Sequence, residues 1–474
     1  MDITRLIGHE PTKEQEHAIR QFNVFLSDRS AHAVMVLRGS AGTGKTTLAG
    51  AIVRAMLAHR QKLVLMAPTG RAAKVFASYA GYAAFTIHRR IYRQRTAGDL
   101  SAFNLNDNLH SDTLFIVDEA SMIANSSSDS AFGSGCLLDD LLRYVYSGKN
   151  CRLMLIGDCA QLPPVGEQES PALQTGVLQG YGLNVCESDL SQVLRQSQES
   201  GILWNATMIR SMTQSGVLQL PRLRLTGFAD VQVVPGDELI EALASSYSHV
   251  GVDETIVVTR SNKRANIYNQ GIRRTVLDRE DELCRGDRLM IVKNNYYWLK
   301  GSTDEQPADR AGGMSFLANG DVAVVQRVRN MRQLYGFRFA DAVLSMPDYD
   351  DQEFTATLLL DTLSTDAPAL TREQQEQLFN SVMDDYADTP LKSERIKQLR
   401  SDAYYNALQV KFGYAVTCHK AQGGQWAHVY IDQGYMTDDM LTPDYMHWLY
   451  TALTRATERV FLVNWPKAQI EPAD

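Results

Sequence analysis

The sequence predicts an α/β protein made of two parallel-sheet units, with a small hairpin inserted in the first and a small β-barrel inserted in the second. Three observations predict it. Short apolar runs alternate with helical patterns through the first half, the rhythm of a parallel, doubly wound sheet. The same rhythm returns at residues 255–258, 410–416, 428–431 and 459–463. Between the parts of this second set lies a long region, 284–405, that opens with strand-like segments and Gly turns and then becomes charged and helical.

In chain order, residues 33–37 read as a strand that ends at Arg38-Gly39. A helix follows over 46–57, with Leu48, Ile52, Val53, Met56 and Leu57 on one face. Residues 62–67, 114–117 and 152–156 are further strands, each an apolar run closed by a polar or Gly-rich turn. The stretch 125–135, rich in Ser and Gly, and the acidic run 348–351 read as surface loops. In the middle region, 288–292 and 321–328 are strand-like, and Thr371-Arg372-Glu373-Gln374 is a capping box. It opens a helix carrying Leu378, Phe379, Val382 and Met383.

A chain of 474 residues is too long for one core and implies two to four domains. Apolar residues at 44% and charged residues at 22% are ordinary for a soluble globular protein. No run approaches the roughly 20 apolar residues a membrane-spanning helix needs. The start, Met1-Asp2-Ile3-Thr4-Arg5, lacks the pattern of a signal segment, and a cytoplasmic protein is expected. The six cysteines form no Cys-x-x-Cys pair, so neither structural zinc, nor an iron–sulfur cluster, nor a disulfide is expected. A net charge of -8 argues against a purely electrostatic nucleic-acid binder, though Arg89, Arg90, Arg93 and Arg95 cluster locally.

Gly39-Ser40-Ala41-Gly42-Thr43-Gly44-Lys45-Thr46 is a complete G-x-x-x-x-G-K-[ST] loop between a strand and a helix. Its glycines let successive N–H groups face phosphate oxygens, and the helix N-terminus adds its positive end. In such a loop Lys45 neutralises the β- and γ-phosphates of ATP, and the Thr46 hydroxyl ligates Mg²⁺. The strand at 114–117 ends in Asp118-Glu119. Asp118 suits Mg²⁺, and Glu119 suits polarising an attacking water. The next strand exits through Gly157-Asp158-Cys159-Ala160-Gln161-Leu162-Pro163-Pro164, where the Gln161 amide both donates and accepts and suits sensing the γ-phosphate.

With these motifs in this order, the chain resembles the superfamily 1 helicases of the RecD-like, 5′-to-3′ branch, which includes the phage Dda helicase. The likeness covers nearly the whole chain and implies two RecA-like domains with an SH3-like inserted barrel. It implies boundaries at 1–190 for the first domain, with the hairpin at about 89–113, at 191–283 and 406–474 for the second, and at 284–405 for the insertion. Pro11-Thr12-Lys13-Glu14-Gln15 resembles the Q-motif, so Gln15 would read adenine; Thr47 joins residues 39–46 in the nucleotide set. Residues 67–74 resemble motif Ia and Thr86-Ile87-His88 motif Ib, which make Thr69 and His88 DNA contacts. Residues 190–196 resemble motif IV, 416–423 motif V and 449–455 motif VI. The likeness makes Arg195 and Arg455 arginine fingers, and Thr417 and His419 further DNA contacts. One position departs from the family, where a Glu often stands; here it is Gln425.

The implied activity is ATP-dependent unwinding of DNA with Mg²⁺, on single strands and duplex junctions. A monomer is implied, working beside single-strand-binding, recombination, repair or replication proteins. A small-molecule kinase, a regulatory subunit of a larger complex and an RNA track stay open as alternatives. Within 89–113, Gly98 and Asp99 sit in a short connector between two strand-like runs, which predicts a β-hairpin. In the resembling helicases a hairpin here parts the strands, and Phe103 and Tyr92 are the aromatics available to stack on a base pair.

Overall fold

The computed structural model describes residues 3–28, 30, 32–94, 103–125, 133–193, 199–299, 316–437 and 440–472. By internal contacts the chain divides into two units. One comprises Met1–Arg95, Ser101–Gly236 and Ala421–Asp474; the other comprises Thr96–Leu100 and Asp237–Lys420.

The first unit is organised by a six-stranded parallel sheet of RecA-like type. Its strands are β1 (Ala33–Gly39), β2 (Lys62–Ala67), β3 (Ala84–Thr86), β6 (Thr113–Val117), β7 (Arg152–Gly157) and β8 (Asn184–Leu190), in the order β3-β2-β6-β7-β1-β8. The central strands are buried almost throughout, as expected for strands covered on both faces. Helices α1 (Lys13–Ser27), α2 (Lys45–Ala58) and α3 (Gly70–Ala80) cover one face. Phe22, Phe25, Leu48, Ile52 and Phe76 pack there against Met35, Leu37, Leu65 and Ile116 in one core. Every strand-to-helix loop of interest leaves from the carboxyl edge of this sheet, where open α/β sheets place their ligands.

Between β3 and β6, the short helix α4 (Ile87–Ile91) leads into β4 (Tyr92–Gln94), which pairs antiparallel with β5 (Phe103–Leu105). The expected hairpin therefore exists, with its connector outside the described residues. Helix α5 (Leu137–Ser147) follows β6, and α6 (Thr175–Gly180) precedes β8. After β8 come α7 (Gly201–Gln214) and β9 (Val231–Val234).

The second RecA-like set of parallel strands is divided between the units. In the first, β17 (Trp426–Asp432), β18 (Ala456–Val463) and β9 run parallel, with α13 (Pro443–Leu453) joining β17 to β18. In the second, β10 (Thr255–Thr259) pairs parallel with β16 (Ala415–Thr417), and α8 (Leu239–His249) and α9 (Asn262–Gly271) flank β10 in sequence.

The second unit also contains a closed barrel of β11 (Arg288–Ile291), β12 (Val322–Leu334), β13 (Phe337–Met346), β14 (Gln352–Leu359) and β15 (Leu408–Phe412). Helices α10 (Arg372–Asp385) and α11 (Lys392–Arg400) pack on its flank through Leu378, Val382 and Leu399 against Phe337, Phe339 and Leu359. Both halves of the Thr371–Gln374 capping box are present at the start of α10. The single strand expected over 410–416 is two strands. After β15, Gly413 donates to the Arg288 carbonyl, and the Asn269 side chain then accepts from the N–H groups of Tyr414 and Ala415 at 3.0 and 2.8 Å. These bonds turn the chain out of the barrel and into β16. The short helix α12 (Cys418–Ala421) follows.

Candidate nucleotide site and neighbouring motifs

The P-loop joins β1 to α2. Gly42 and Gly44 adopt φ of 75° and 79°, the left-handed region that glycine enters without a Cβ penalty. That backbone turns the N–H groups inward and starts α2 at Lys45. Lys45 Nζ donates to the Ser40 carbonyl at 3.0 Å and stands 3.7 Å from Asp158 Oδ2. Gln15 braces the loop. Its Oε1 accepts from Thr12 N–H in the capping box of α1, and its Nε2 donates to the Thr43 carbonyl at 3.2 Å. Gln15 is fully buried, so both amide ends serve the fold and the loop rather than standing open to a base.

At the tip of β6, Asp118 and Glu119 stand side by side. Glu119 has a φ of 53° and donates its N–H to Asp118 Oδ1 at 2.9 Å. Burial, and then the neighbouring Glu119 charge, push the Asp118 carboxyl up to about 7 against the pull of the Glu119 N–H and Lys45. Two carboxylates crowded together favour a bound cation. The hard oxygen donors of Asp118 and Thr46 fit Mg²⁺.

The loop after β7 is held from the opposite side by α13. Tyr450 hydroxyl donates to Asp158 Oδ2 at 2.7 Å and accepts the Ala41 N–H of the P-loop at 2.9 Å. Thr451 Oγ1 accepts Leu162 N–H at 2.8 Å, His447 Nδ1 meets the Ala160 carbonyl at 2.9 Å, and Gln422 Nε2 donates to the Leu162 carbonyl at 2.7 Å. Gln161 is thereby fixed in place, 5% exposed, and its Oε1 has no hydrogen-bond partner among the described residues. A buried acceptor left open in this position suits a ligand or water between it and the P-loop.

Arg455 follows α13 and is 2% exposed. Its guanidinium donates to the Thr451 and Gly424 carbonyls at 3.1 Å each and to Thr454 Oγ1 at 3.3 Å. These bonds tie the end of α13 to the loop before β17. Arg195 lies outside the described residues. Gln425 takes part through its backbone, whose carbonyl accepts from Arg71 at 2.6 Å, while the Arg71 guanidinium lies 4.3 Å from the centre of the Trp426 ring. A main-chain contact of this kind tolerates either Gln or Glu.

Among the expected nucleic-acid contacts, Thr69 caps α3, accepting from Ala72 N–H, and His88 lies on α4 with its ring 5.7 Å from that of Tyr92. In the second unit, Thr417 ends β16 in register with Thr259, and His419 is exposed on α12. Tyr92 departs from its expected stacking role. It is 7% exposed, and its hydroxyl donates to Asp140 Oδ2 at 2.8 Å. It anchors the hairpin base on α5, because a buried phenol needs a hydrogen-bond partner. The Phe103 backbone pairs with Gln94, and its side chain lies outside the described residues. Sequence reasoning passed over Tyr450, Thr451 and His447 as site residues. Their spacing over one helical turn, just before Arg455, was the available signal.

A family model described as an AAA domain matches residues 10–214, and one described as the UvrD-like helicase C-terminal domain matches residues 412–463. The ATP-dependent RecD2 DNA helicase of Deinococcus radiodurans is 22% identical, over 95% of this chain and 50% of that protein. The chain thus spans half the length of that relative. An uncharacterized protein of Acanthamoeba polyphaga mimivirus is 23% identical over 91% of this chain and 96% of its own length. A solved Pif1 helicase from Bacteroides, in complex with ADP-AlF3 and ssDNA, is 16% identical, with 98% and 95% of the two chains covered and a TM-score of 0.47. The first family match falls on the segment that carries the P-loop, the acidic pair and Gln161, and the second on the segment that carries Gln422 and Arg455. The matches and relatives together support an ATP-hydrolysing enzyme similar to the RecD-like helicases of superfamily 1.

Proposed function

We propose that the chain is a DNA motor that moves 5′-to-3′ along a single strand and opens duplex ahead of it, each step driven by ATP hydrolysis. The observation that carries this reading is the assembly around Asp158. One carboxylate oxygen, Asp158 Oδ2, lies 3.7 Å from the P-loop lysine and accepts the hydroxyl of Tyr450 at 2.7 Å. Phosphate chemistry at the P-loop is thereby wired to the helix that precedes Arg455.

In this reading Lys45 and the N–H groups of residues 39–47 hold the phosphates, Glu119 orients the attacking water and Gln161 senses it. Thr46 and Asp118 would hold Mg²⁺, which when bound would neutralise charge on the phosphates. Arg195 and Arg455 complete charge stabilisation when the RecA-like domains, bounded as the sequence implies, close, so that turnover follows domain motion. Gln15 steadies the loop beside the base. Thr69, His88, Thr417 and His419 line the strand, and Phe103 stacks at the fork. The RecD2 relative, named as a DNA helicase, supports DNA as the track. Working partners are single-stranded DNA and duplex junctions, in a monomer.

Duplexes carrying a 5′ or a 3′ single-stranded tail test this. Opening of the 5′-tailed substrate with ATP is expected. Opening of the 3′-tailed substrate alone would refute the direction, and opening of neither would refute the motor.

A further inference from the structure

A second cation stands beside the P-loop, on α7. This helix runs along the nucleotide loop. A Cβ built on Gly42 would lie 3.0 Å from Leu203, and Arg210, two turns further along α7, falls on the same face as Leu203. Arg210 is 9% exposed. Among the described residues its one hydrogen bond is from Nη2 to the Ser191 carbonyl at 3.3 Å, and its Nε is buried there with no partner. The preceding carbonyl, of Leu190, accepts the N–H of Ser40, the second residue of the P-loop, at 3.3 Å. Arg210 is thereby tied to the residue next to the one that holds the Ser40 N–H.

Its electrostatic neighbours point the same way. The Tyr450 hydroxyl, bonded to Ala41 N–H, is raised well above its ordinary value by burial, with the Arg210 charge acting against that shift. Glu14 is the nearby carboxylate, but it is already engaged. Its Oε2 accepts the N–H groups of Ser191 and Gln192 at 2.7 and 2.8 Å, and its Oε1 accepts the Ser191 hydroxyl. A guanidinium taken out of water with one long hydrogen bond and an orphaned donor carries a desolvation cost that a bound anion would offset. Its planar fork of donors matches a phosphate group.

We propose that Arg210 is a phosphate ligand of the nucleotide site: the anion it takes is the polyphosphate chain cradled by the 39–46 loop. This rests on the P-loop reading above and adds to it a cation from outside the recognised motifs. The role is one of binding, so it shows in the resting affinity for polyphosphate as well as in turnover.

The test is equilibrium binding of a non-hydrolysable ATP analogue and of inorganic tripolyphosphate to the full chain, each with Mg²⁺, alongside thermal unfolding without ligand. Arg210→Met keeps the bulk and removes the charge and the donors. About tenfold weaker binding of both probes is expected, with Arg210→Lys recovering part of the loss. Affinity within about twofold of the parent in a folded Arg210→Met, while Lys45→Ala loses binding, would overturn the proposal and leave the P-loop reading standing. Equal binding by the parent and Lys45→Ala would overturn the P-loop reading itself. Should Arg210→Met fail to fold, Arg210→Lys decides: several-fold weaker tripolyphosphate binding supports the proposal, and unchanged binding overturns it.

Discussion

Tyr450 and Asp158 are joined by a 2.7 Å hydrogen bond, and the same hydroxyl takes the Ala41 N–H of the P-loop. Removing only this oxygen, in Tyr450→Phe, breaks both bonds and leaves the buried Asp158 carboxylate short of a donor. The expected result is a loss of about 1–3 kcal/mol in stability. Turnover should fall roughly tenfold, with a smaller change in KM for ATP, because Gln161 and the P-loop lose their common tie. Steady-state kinetics with urea unfolding checks this. Unchanged kcat in a destabilised variant would make the contact structural only.

Lys45 and Glu119 separate binding from chemistry. Lys45→Ala should lose both nucleotide affinity and hydrolysis. Glu119→Gln keeps the shape of the acidic pair and removes the group that orients water, so it should bind ATP and fail to turn it over. Near-normal hydrolysis by either variant contradicts the assignment.

Asp321, at the start of β12, carries a pH signature. Burial pushes its carboxyl up to about 7, with the Asp348 charge adding to the rise and hydrogen bonds from Ala318 N–H and Tyr349 hydroxyl opposing it. A raised carboxyl binds its proton more tightly in the folded state. The stability it contributes is full below its ordinary value of 3.8 and is lost as pH climbs through about 7. Asp321→Asn should flatten stability against pH across that window and leave the variant more stable than the parent at pH 8, by on the order of 3 kcal/mol. Thermal unfolding from pH 4 to 8 is the measurement, and an equally steep profile in the variant would contradict it.

The hairpin separates two aromatics that look alike in sequence. Tyr92→Phe removes the bond to Asp140 and should cost about 1 kcal/mol of stability without changing the ATP consumed per base pair opened. Phe103→Ala should leave strand-stimulated hydrolysis largely intact and raise that ratio. The opposite pattern would move the stacking role away from Phe103.

Local pattern made much of this fold legible. The P-loop, the acidic pair and the 157–164 loop each sit at the end of an apolar strand, and strand, turn and helix there follow from neighbours in sequence. The Thr371–Gln374 box read correctly for the same reason. The edge strands β8 and β9 escaped notice because half-exposed runs such as Asn184–Leu190 carry no continuous apolar signal. The split at Gly413 was hidden because Asn269, 144 positions earlier, accepts the N–H groups that turn the chain. Long-range partners also explain Tyr92, which opens β4 and whose anchor Asp140 lies on α5, and Tyr450, whose partners lie about 290 and 410 positions away. Arg210 gives no signal in sequence because nothing in α7 itself reports that its guanidinium is buried with an Nε left unpartnered among the described residues.

The account's central claim is that this P-loop drives movement along a single strand, and the most direct measurement is the ATP hydrolysis rate with and without single-stranded DNA. The account predicts stimulation of at least about tenfold in the parent, abolished in Lys45→Ala and in Glu119→Gln. A hydrolysis rate indifferent to single-stranded DNA, in a protein that binds and hydrolyses ATP, would contradict it.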